Sequence, residues 1–302
     1  MNWEADVQLA EHTRYRIGGP ATFGRATDRS DLASALRDLE GIAPRVLGWG
    51  ANLLVHDAGV PEPVVVLGEG FGGLEVDERR IRAGAAAGLP ALVGEARRAG
   101  RTGWSFLEAV PGSVGGGLRM NAGSAEIGLW ERVVHVEAML PDGRIERLDP
   151  ESAEPGYRRT SVPAEWIFVA AEFEALPGDP SAVDAGHFER RKAKVESQVY
   201  DLPSCGSIWT NPGPPHGSAW ELVERVGMRG ARKGGAQITE RHANFIANIG
   251  GATAVDVWWL MAETRRRVFD ETGVRLEPEI RLWGFDAAER EAVGAPADEV
   301  LP

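Results

Sequence analysis

Apolar positions first fall into a helical period at residues 28–40, "DRSDLASALRDLE". There Leu32, Ala35, Leu36 and Leu39 share one face. Ser30 or Asp31 is the expected cap. The period then shortens. "APRVLGWGANLLVHDAG" reads as strand, glycine turn and short apolar segment, and "PVVVLG" as a buried strand. Together these form an α/β lobe ending near residue 70.

Alternation resumes in "LEVDERRIRAGAAAG", a hairpin with its turn near Asp77–Arg80. "LPALVGEARRAG" is a helix closed by Gly100. "VVHVEAMLPDGRIERLD" is a second hairpin turning at Asp142-Gly143, and "WIFVAAEFEAL" a further strand. This second α+β lobe runs to about residue 177. "SAVDAGHFERRKAKVESQ" is polar and charged, which predicts a solvated connector helix. "SAWELVERVGMRG" is a short amphipathic helix. "TAVDVWWLMAETRRRVFDETG" is a long one, with Ala254, Val257, Trp258, Met261, Arg265 and Val268 in register and Gly273 as its stop. "VRLEPEIRLWG" predicts a final strand, and the acidic tail after Phe285 a loosely held end.

Composition narrows the function classes. The 302 residues are 43% hydrophobic, ample for a sizeable core, and the 38 glycines and 19 prolines are spread among tight turns. A net charge of -12 argues against nucleic-acid binding, which needs a basic footprint, yet permits a local anion site. The lone cysteine, Cys205, excludes an intrachain disulfide. The start "MNWEADVQLAEHTRYRIGG" has no apolar leader, and no run approaches the length of a membrane span, so the cytoplasm is the expected compartment. The six histidines show no metal-ligand spacing.

Three stretches carry candidate chemistry. "LGWGANLL", Leu47 to Leu54, places Gly-x-Gly after a strand, where amides approach phosphate oxygens. It is not a dinucleotide fingerprint, because Leu53 holds the third glycine position, nor a Walker loop; a phosphate site and a plain turn both remain open. "VPGSVGGGLRMNAG", Val110 to Gly123, reads either as a crowded turn or as a loop lying flat against a large planar or pyrophosphate-bearing ligand. "PSCGSIWTNPGPP" sets Ser207 after a glycine in a loop fenced by prolines. No nucleophile elbow surrounds it and no histidine lies within eight residues, so the serine lacks the base that a nucleophile needs.

"HTRYRIGGPA", "GWGANLLVHDAGVP", "FLEAVPGSVGGGLRMNAG", "GYRRTS", "CGSIWTNP", "GGAQITERHANFIANIGGATA" and "LEPEIRLWG" follow one another in this order. Together they resemble the UDP-N-acetylenolpyruvoylglucosamine reductase (UDP-N-acetylmuramate dehydrogenase) family, compact subtype, from residue 12 to about 284. The resemblance implies an α+β fold: a two-lobed FAD-binding domain of the vanillyl-alcohol-oxidase type and a C-terminal α+β substrate-binding domain. The lobes map to residues 1–70 and 71–177, the third domain to 178–285 and the acidic tail to 286–302.

The same resemblance implies FAD held at Gly48, Gly50, Ala51, Asn52 and Leu53 and at Pro111, Gly112, Ser113, Gly115, Gly116, Asn121, Ala122 and Gly123. NADPH is the implied co-substrate, and UDP-N-acetylglucosamine enolpyruvate the implied substrate. Hydride arrives at the methylene carbon of the enolpyruvyl ether, and the neighbouring carbon then needs a proton. A serine donates to such a strong base without a histidine, given fixed geometry, which suits Ser207 as the family's proton donor. Arg158 matches the catalytic arginine, and Glu279 the catalytic glutamate. Asn211, Arg229 and His242 match substrate contacts.

Departures from the family pattern are Trp49 in the first glycine loop, Trp209 and Thr210 in place of Phe-Lys after Ser207, and Arg159-Thr160 after the Tyr-Arg pair. Cys205 reads as a small buried filler or, two residues from Ser207, as a substitute donor. Two other classes compete with the reductase. One is a flavoprotein of the same scaffold acting on another substrate. The other is a nucleotide-sugar binding protein without flavin, which would have no use for Ser207, Arg158 and Glu279 together.

Overall fold

A computed structural model describes residues 1–124 and 126–296. The first unit contains β1 (Trp3–Gln8), β2 (Pro20–Ala26), α1 (Arg29–Asp38), β3 (Arg45–Val46), β4 (Leu53–Val55) and β5 (Val64–Leu67). Its sheet runs β1-β2-β5-β3, with β5 parallel to both neighbours. Leu32, Ala35 and Leu36 of α1 are buried, as their period requires. The cap is Asp28, not Ser30 or Asp31. Asp28 keeps extended backbone and accepts the Asp31 N–H, while the Asp31 carboxylate takes the Thr27 N–H.

The second unit contains β6 (Leu74–Val76), β7 (Arg80–Gly84), α2 (Leu89–Arg98), α3 (Val114–Arg119), β8 (Val133–Met139), β9 (Ile145–Leu148), α4 (Pro150–Ala153) and β10 (Ile167–Glu174). The sheet order is β6-β7-β10-β8-β9, antiparallel throughout. Trp104, Trp130 and Phe173 fill its core. The second glycine stretch is not the flat loop that its composition suggests. Ser113 caps it, its Oγ accepting the Gly116 N–H at 3.3 Å, and the glycines form α3. Close packing explains them. A Cβ on Gly115 would lie 3.1 Å from that of Ala85, and one on Gly117 3.1 Å from Leu89.

The third unit contains α5 (Pro180–Ser197), α6 (Ala219–Arg225), β11 (Arg232–Lys233), β12 (Ala236–Ile238), β13 (Ile246–Asn248), α7 (Ala254–Thr272), β14 (Arg281–Trp283) and α8 (Ala287–Val293). α5 is more than a solvated connector. It buries Val183 and His187, and the His187 Nδ1 lies 2.9 Å from Glu108 of the second unit. α7 buries Val257, Leu260, Met261 and Val268 and stops at Gly273, in left-handed conformation. The start of the expected loose tail is also ordered. Asp286 caps α8, and buried Arg290 donates to the carbonyls of Phe285 and Leu282. Residues 297–302 of that tail lie outside the described residues. Among the described residues no helix is long and apolar enough to cross a membrane.

The first and third units interlock. β14 pairs in parallel with β4 of the first unit. The core of the third unit in turn takes in Tyr15, Ile17 and Leu54. Leu54 sits in β4 itself and is fully buried. Leu54→Ala is expected to cost about 3 kcal/mol. Urea unfolding followed by tryptophan fluorescence measures this as a lower midpoint with an unchanged slope.

Candidate active site

A cavity of about 1270 Å³ opens where the three units meet. Gly48, Gly50, Ala51, Asn52 and Leu53 line it from the turn between β3 and β4. Pro111, Gly112, Ser113, Gly115 and Gly116 line it from the start of α3, with Ala122 and Gly123 beyond that helix. Arg158, Ser207 and Glu279 complete the wall. Asn121 is not on the lining. Its amide donates to the Gly156 carbonyl and its oxygen accepts the Trp130 N–H, so it holds the loop that carries Arg158.

The two glycine stretches meet directly. A Cβ on Gly48 would lie 2.5 Å from the Ser113 Oγ. Gly50 has φ +55°, and a Cβ there would come within 2.7 Å of the Thr13 Cα. Side chains are thus excluded where the units touch, which leaves a cradle of bare backbone on the cavity side. A large cofactor with a pyrophosphate suits such a cradle and volume. Trp49 also lines the cavity. Its ring lies against Gly88, where a Cβ would meet it at 2.6 Å, and so bridges the first two units.

Arg158 has φ +56°, a conformation that few L-residues adopt. Its Nε donates to the Glu279 Oε1 at 2.6 Å and its Nη2 to the Gly123 carbonyl at 3.2 Å. The Tyr157 ring lies 4.7 Å from the guanidinium carbon, and the Tyr157 hydroxyl donates to the Glu279 Oε2 at 3.4 Å. Burial, and then the Glu279 charge, push the Tyr157 pKa up, so this phenol remains a donor.

Ser207 owes its rigidity to backbone pairing rather than to the flanking prolines. It pairs with Phe245 on one side. Next to it, the Ile208 N–H donates to Asn244 and the Ile208 carbonyl accepts the Glu279 N–H, at 2.8 and 2.7 Å. The Asn244 side chain closes two more bonds on the Trp209 backbone. Trp209 is buried in the core of the third unit, and Thr210 bonds to Glu277. Cys205 is buried beside Tyr15, and burial pushes its thiol pKa up, so it stays a protonated filler.

Asn211, Arg229 and His242 stand apart from this wall, around α6. The Asn211 oxygen accepts the Ala219 N–H at the start of that helix. The Arg229 Nη1 pairs with Glu224 at 2.6 Å, and its Nε bonds the Glu240 carbonyl. The His242 ring meets Phe245, a cavity residue, at 4.9 Å and Trp220 at 6.4 Å. Burial, then Arg229, lower its pKa. Its Nδ1 accepts the Asn244 N–H, which leaves the proton on Nε2.

The sequence reading missed several lining residues. Arg281 and Trp283 follow Glu279 at strand alternation, and all three line the cavity, a signal present in "EIRLW". Arg119 donates to the carbonyls of Val162, Pro163 and Trp166 and lies over Phe168, so it orders the 162–168 wall. Burial draws its pKa down to about 10. Lys194 of α5 also reaches the lining, which no periodicity announces.

Comparisons with known proteins agree with this geometry. A family model described as UDP-N-acetylenolpyruvoylglucosamine reductase, C-terminal domain, matches residues 198–283, and one described as FAD binding domain matches residues 20–149. The chain is 40% identical over 282 residues to the UDP-N-acetylenolpyruvoylglucosamine reductase of Paramagnetospirillum magneticum, covering 93% of this chain and 91% of the relative. The reductase of Heliobacterium modesticaldum is 39% identical over 287 residues, with 93% and 91% covered. Among solved structures, the UDP-N-acetylenolpyruvylglucosamine reductase of Thermus caldophilus superposes with a TM-score of 0.82 at 33% identity, over 93% of this chain and all of that one.

The contact between the two glycine stretches can be tested. Gly48→Ala is expected to force the stretches apart and lower the flavin retained on purification. Adding Ser113→Ala removes the obstructing Oγ and restores retention, at a cost of about 1 kcal/mol for the lost cap. The ratio of flavin absorbance to protein absorbance reads both.

Proposed function

The chain belongs to the UDP-N-acetylenolpyruvoylglucosamine reductase family, and we propose that it reduces UDP-N-acetylglucosamine enolpyruvate to UDP-N-acetylmuramate in peptidoglycan precursor synthesis. One observation carries this reading. Arg158, Ser207 and Glu279, from three distant stretches, meet on one wall of the cavity that also contains both glycine stretches. FAD held there would supply the hydride chemistry that links NADPH to the methylene carbon of the enolpyruvyl ether.

The protein side chains manage charge and protons. As hydride arrives, negative charge develops on the carbon next to the ether oxygen and spreads into the carboxylate. The Arg158 guanidinium opposes that charge with a planar fork of donors. The Ser207 hydroxyl gives its proton to the carbon, held by the pairing of its neighbours to residues 244–245 and 279. Glu279 aims Arg158 through the 2.6 Å bond, and Tyr157 steadies Glu279. A substrate carboxylate must therefore share a guanidinium already in use, and it does so by taking the terminal nitrogens while Nε stays on Glu279.

FAD is assigned to the lobes at residues 1–70 and 71–177, against Gly48, Gly50, Ala51, Asn52, Leu53, Pro111, Gly112, Ser113, Gly115, Gly116, Ala122 and Gly123, with Asn121 beside them; residues 178–285 take the substrate. Asn211 and Arg229 are assigned to the UDP diphosphate, and His242 to a substrate-facing position. Among the described residues the Asn211 NH2, the second terminal nitrogen of Arg229 and the His242 Nε2–H have no partner and are open to a ligand. A cytoplasmic site of action follows from ligands too highly charged to cross a membrane unaided.

An anaerobic visible spectrum tests the reading. NADPH is expected to bleach the flavin bands, and the enolpyruvyl sugar to restore them. Ser207→Ala should bleach at the normal rate but recover about 10²- to 10⁴-fold more slowly. Colour restored by oxygen alone would reject the substrate. Glu279→Gln keeps the shape but weakens the hold on Arg158, so its defect should appear in the second half-reaction only.

A further inference from the structure

α5 turns Lys194 into the cavity wall, on the helix whose sequence reads as solvated. Several other cations of the lining are engaged. Arg45 pairs with Glu62, Arg158 with Glu279, and Arg119 with three carbonyls. Among the described residues Lys194 has no hydrogen-bond or ion-pair partner for its ammonium. Facing it are Arg158, Glu108 and, on its own helix, Arg190; Glu108 is already taken by His187 and Arg191. Burial, then Arg190 and Arg158, draw the Lys194 pKa down to about 8. A half-buried ammonium between like charges is held at a cost unless an anion joins it. Thr210, meanwhile, stands where the family's serine loop carries a lysine, and its hydroxyl is turned onto the Glu277 carbonyl.

Resting on the reductase reading, we propose that Lys194 holds a phosphate group of an incoming ligand, a charge that this chain lacks at Thr210. Both NADPH and the UDP-sugar carry phosphates, and separate half-reactions tell them apart. In Lys194→Gln, KM for one of the two is expected to rise about tenfold, equivalent to about 1.4 kcal/mol. kcat should stay within about threefold. Lys194→Arg keeps the charge and should restore most of the loss. In the wild type, kcat/KM for that ligand should fall above about pH 8, where the free ammonium loses its proton, and in Lys194→Arg it should stay level.

Lys194 labelling by pyridoxal phosphate with borohydride, slowed by that ligand, gives a reading independent of turnover. Unchanged KM values in Lys194→Gln, or a loss that arginine fails to restore, would overturn the proposal. Flavin loss in Lys194→Gln would also overturn it, because FAD is assigned to the glycine stretches. If the wild type fails to bleach with NADPH and recover with the sugar, the reductase reading itself falls, which no result with the Lys194 variants can imitate.

Discussion

The stretch from Glu277 to Trp283 is held by hydrogen bonds on both edges, and the site depends on it. One edge takes the Thr210 N–H at the Glu277 carbonyl and gives the Glu279 N–H to Ile208, which fixes the serine loop. The other accepts the Asn52 side chain at the Glu279 carbonyl and runs in parallel with β4, which fixes the first glycine stretch. The Glu279 side chain then reaches the second unit at Arg158. Buried backbone polar groups need partners, so this segment cannot shift without unpairing both edges. The first glycine stretch, Ser207 and Arg158 are therefore positioned relative to one another by a single piece of backbone.

Charge is distributed to match. The chain is strongly acidic, yet Arg119, Arg158, Arg281 and Lys194 all face the cavity. An acidic exterior and a cationic interior favour small anions over polyanions, because a nucleic acid meets the outer field first. Arg119 and Arg158 are partly committed to their own chain, to carbonyls and to Glu279. This keeps them ordered before a ligand arrives, which lowers the entropy lost on binding.

Much of this was legible in the sequence. The period of α1, the turns at Asp77 and Gly143 and the stop at Gly273 are local signals, and local physics decides them. Ser207, Arg158 and Glu279 were legible through a resemblance, and the structure brings all three to one wall. What stayed hidden depended on distant partners. The glycines at 115 to 117 were read as a loop because their helix is set by contact with Ala85 and Leu89. α5 was read as a solvated connector because the mate of His187 is Glu108. The tail was read as loose because Arg290 is satisfied by carbonyls at 282 and 285. The bonds of Asn121 to Gly156 and Trp130 were hidden because its motif does not show those distant partners.

The pairing of β4 with β14 also has a consequence in time. Roughly 220 residues separate the two strands, and a ribosome adding about 5–20 residues per second needs some tens of seconds at most to span them. Throughout that interval the apolar strand Leu53–Val55 is complete and lacks its mate. A nascent chain of this protein thus carries an unmatched strand edge for most of its synthesis. Slow translation late in the message lengthens that exposure, and aggregation during expression should respond to the speed of the last third of the message more than to that of the first.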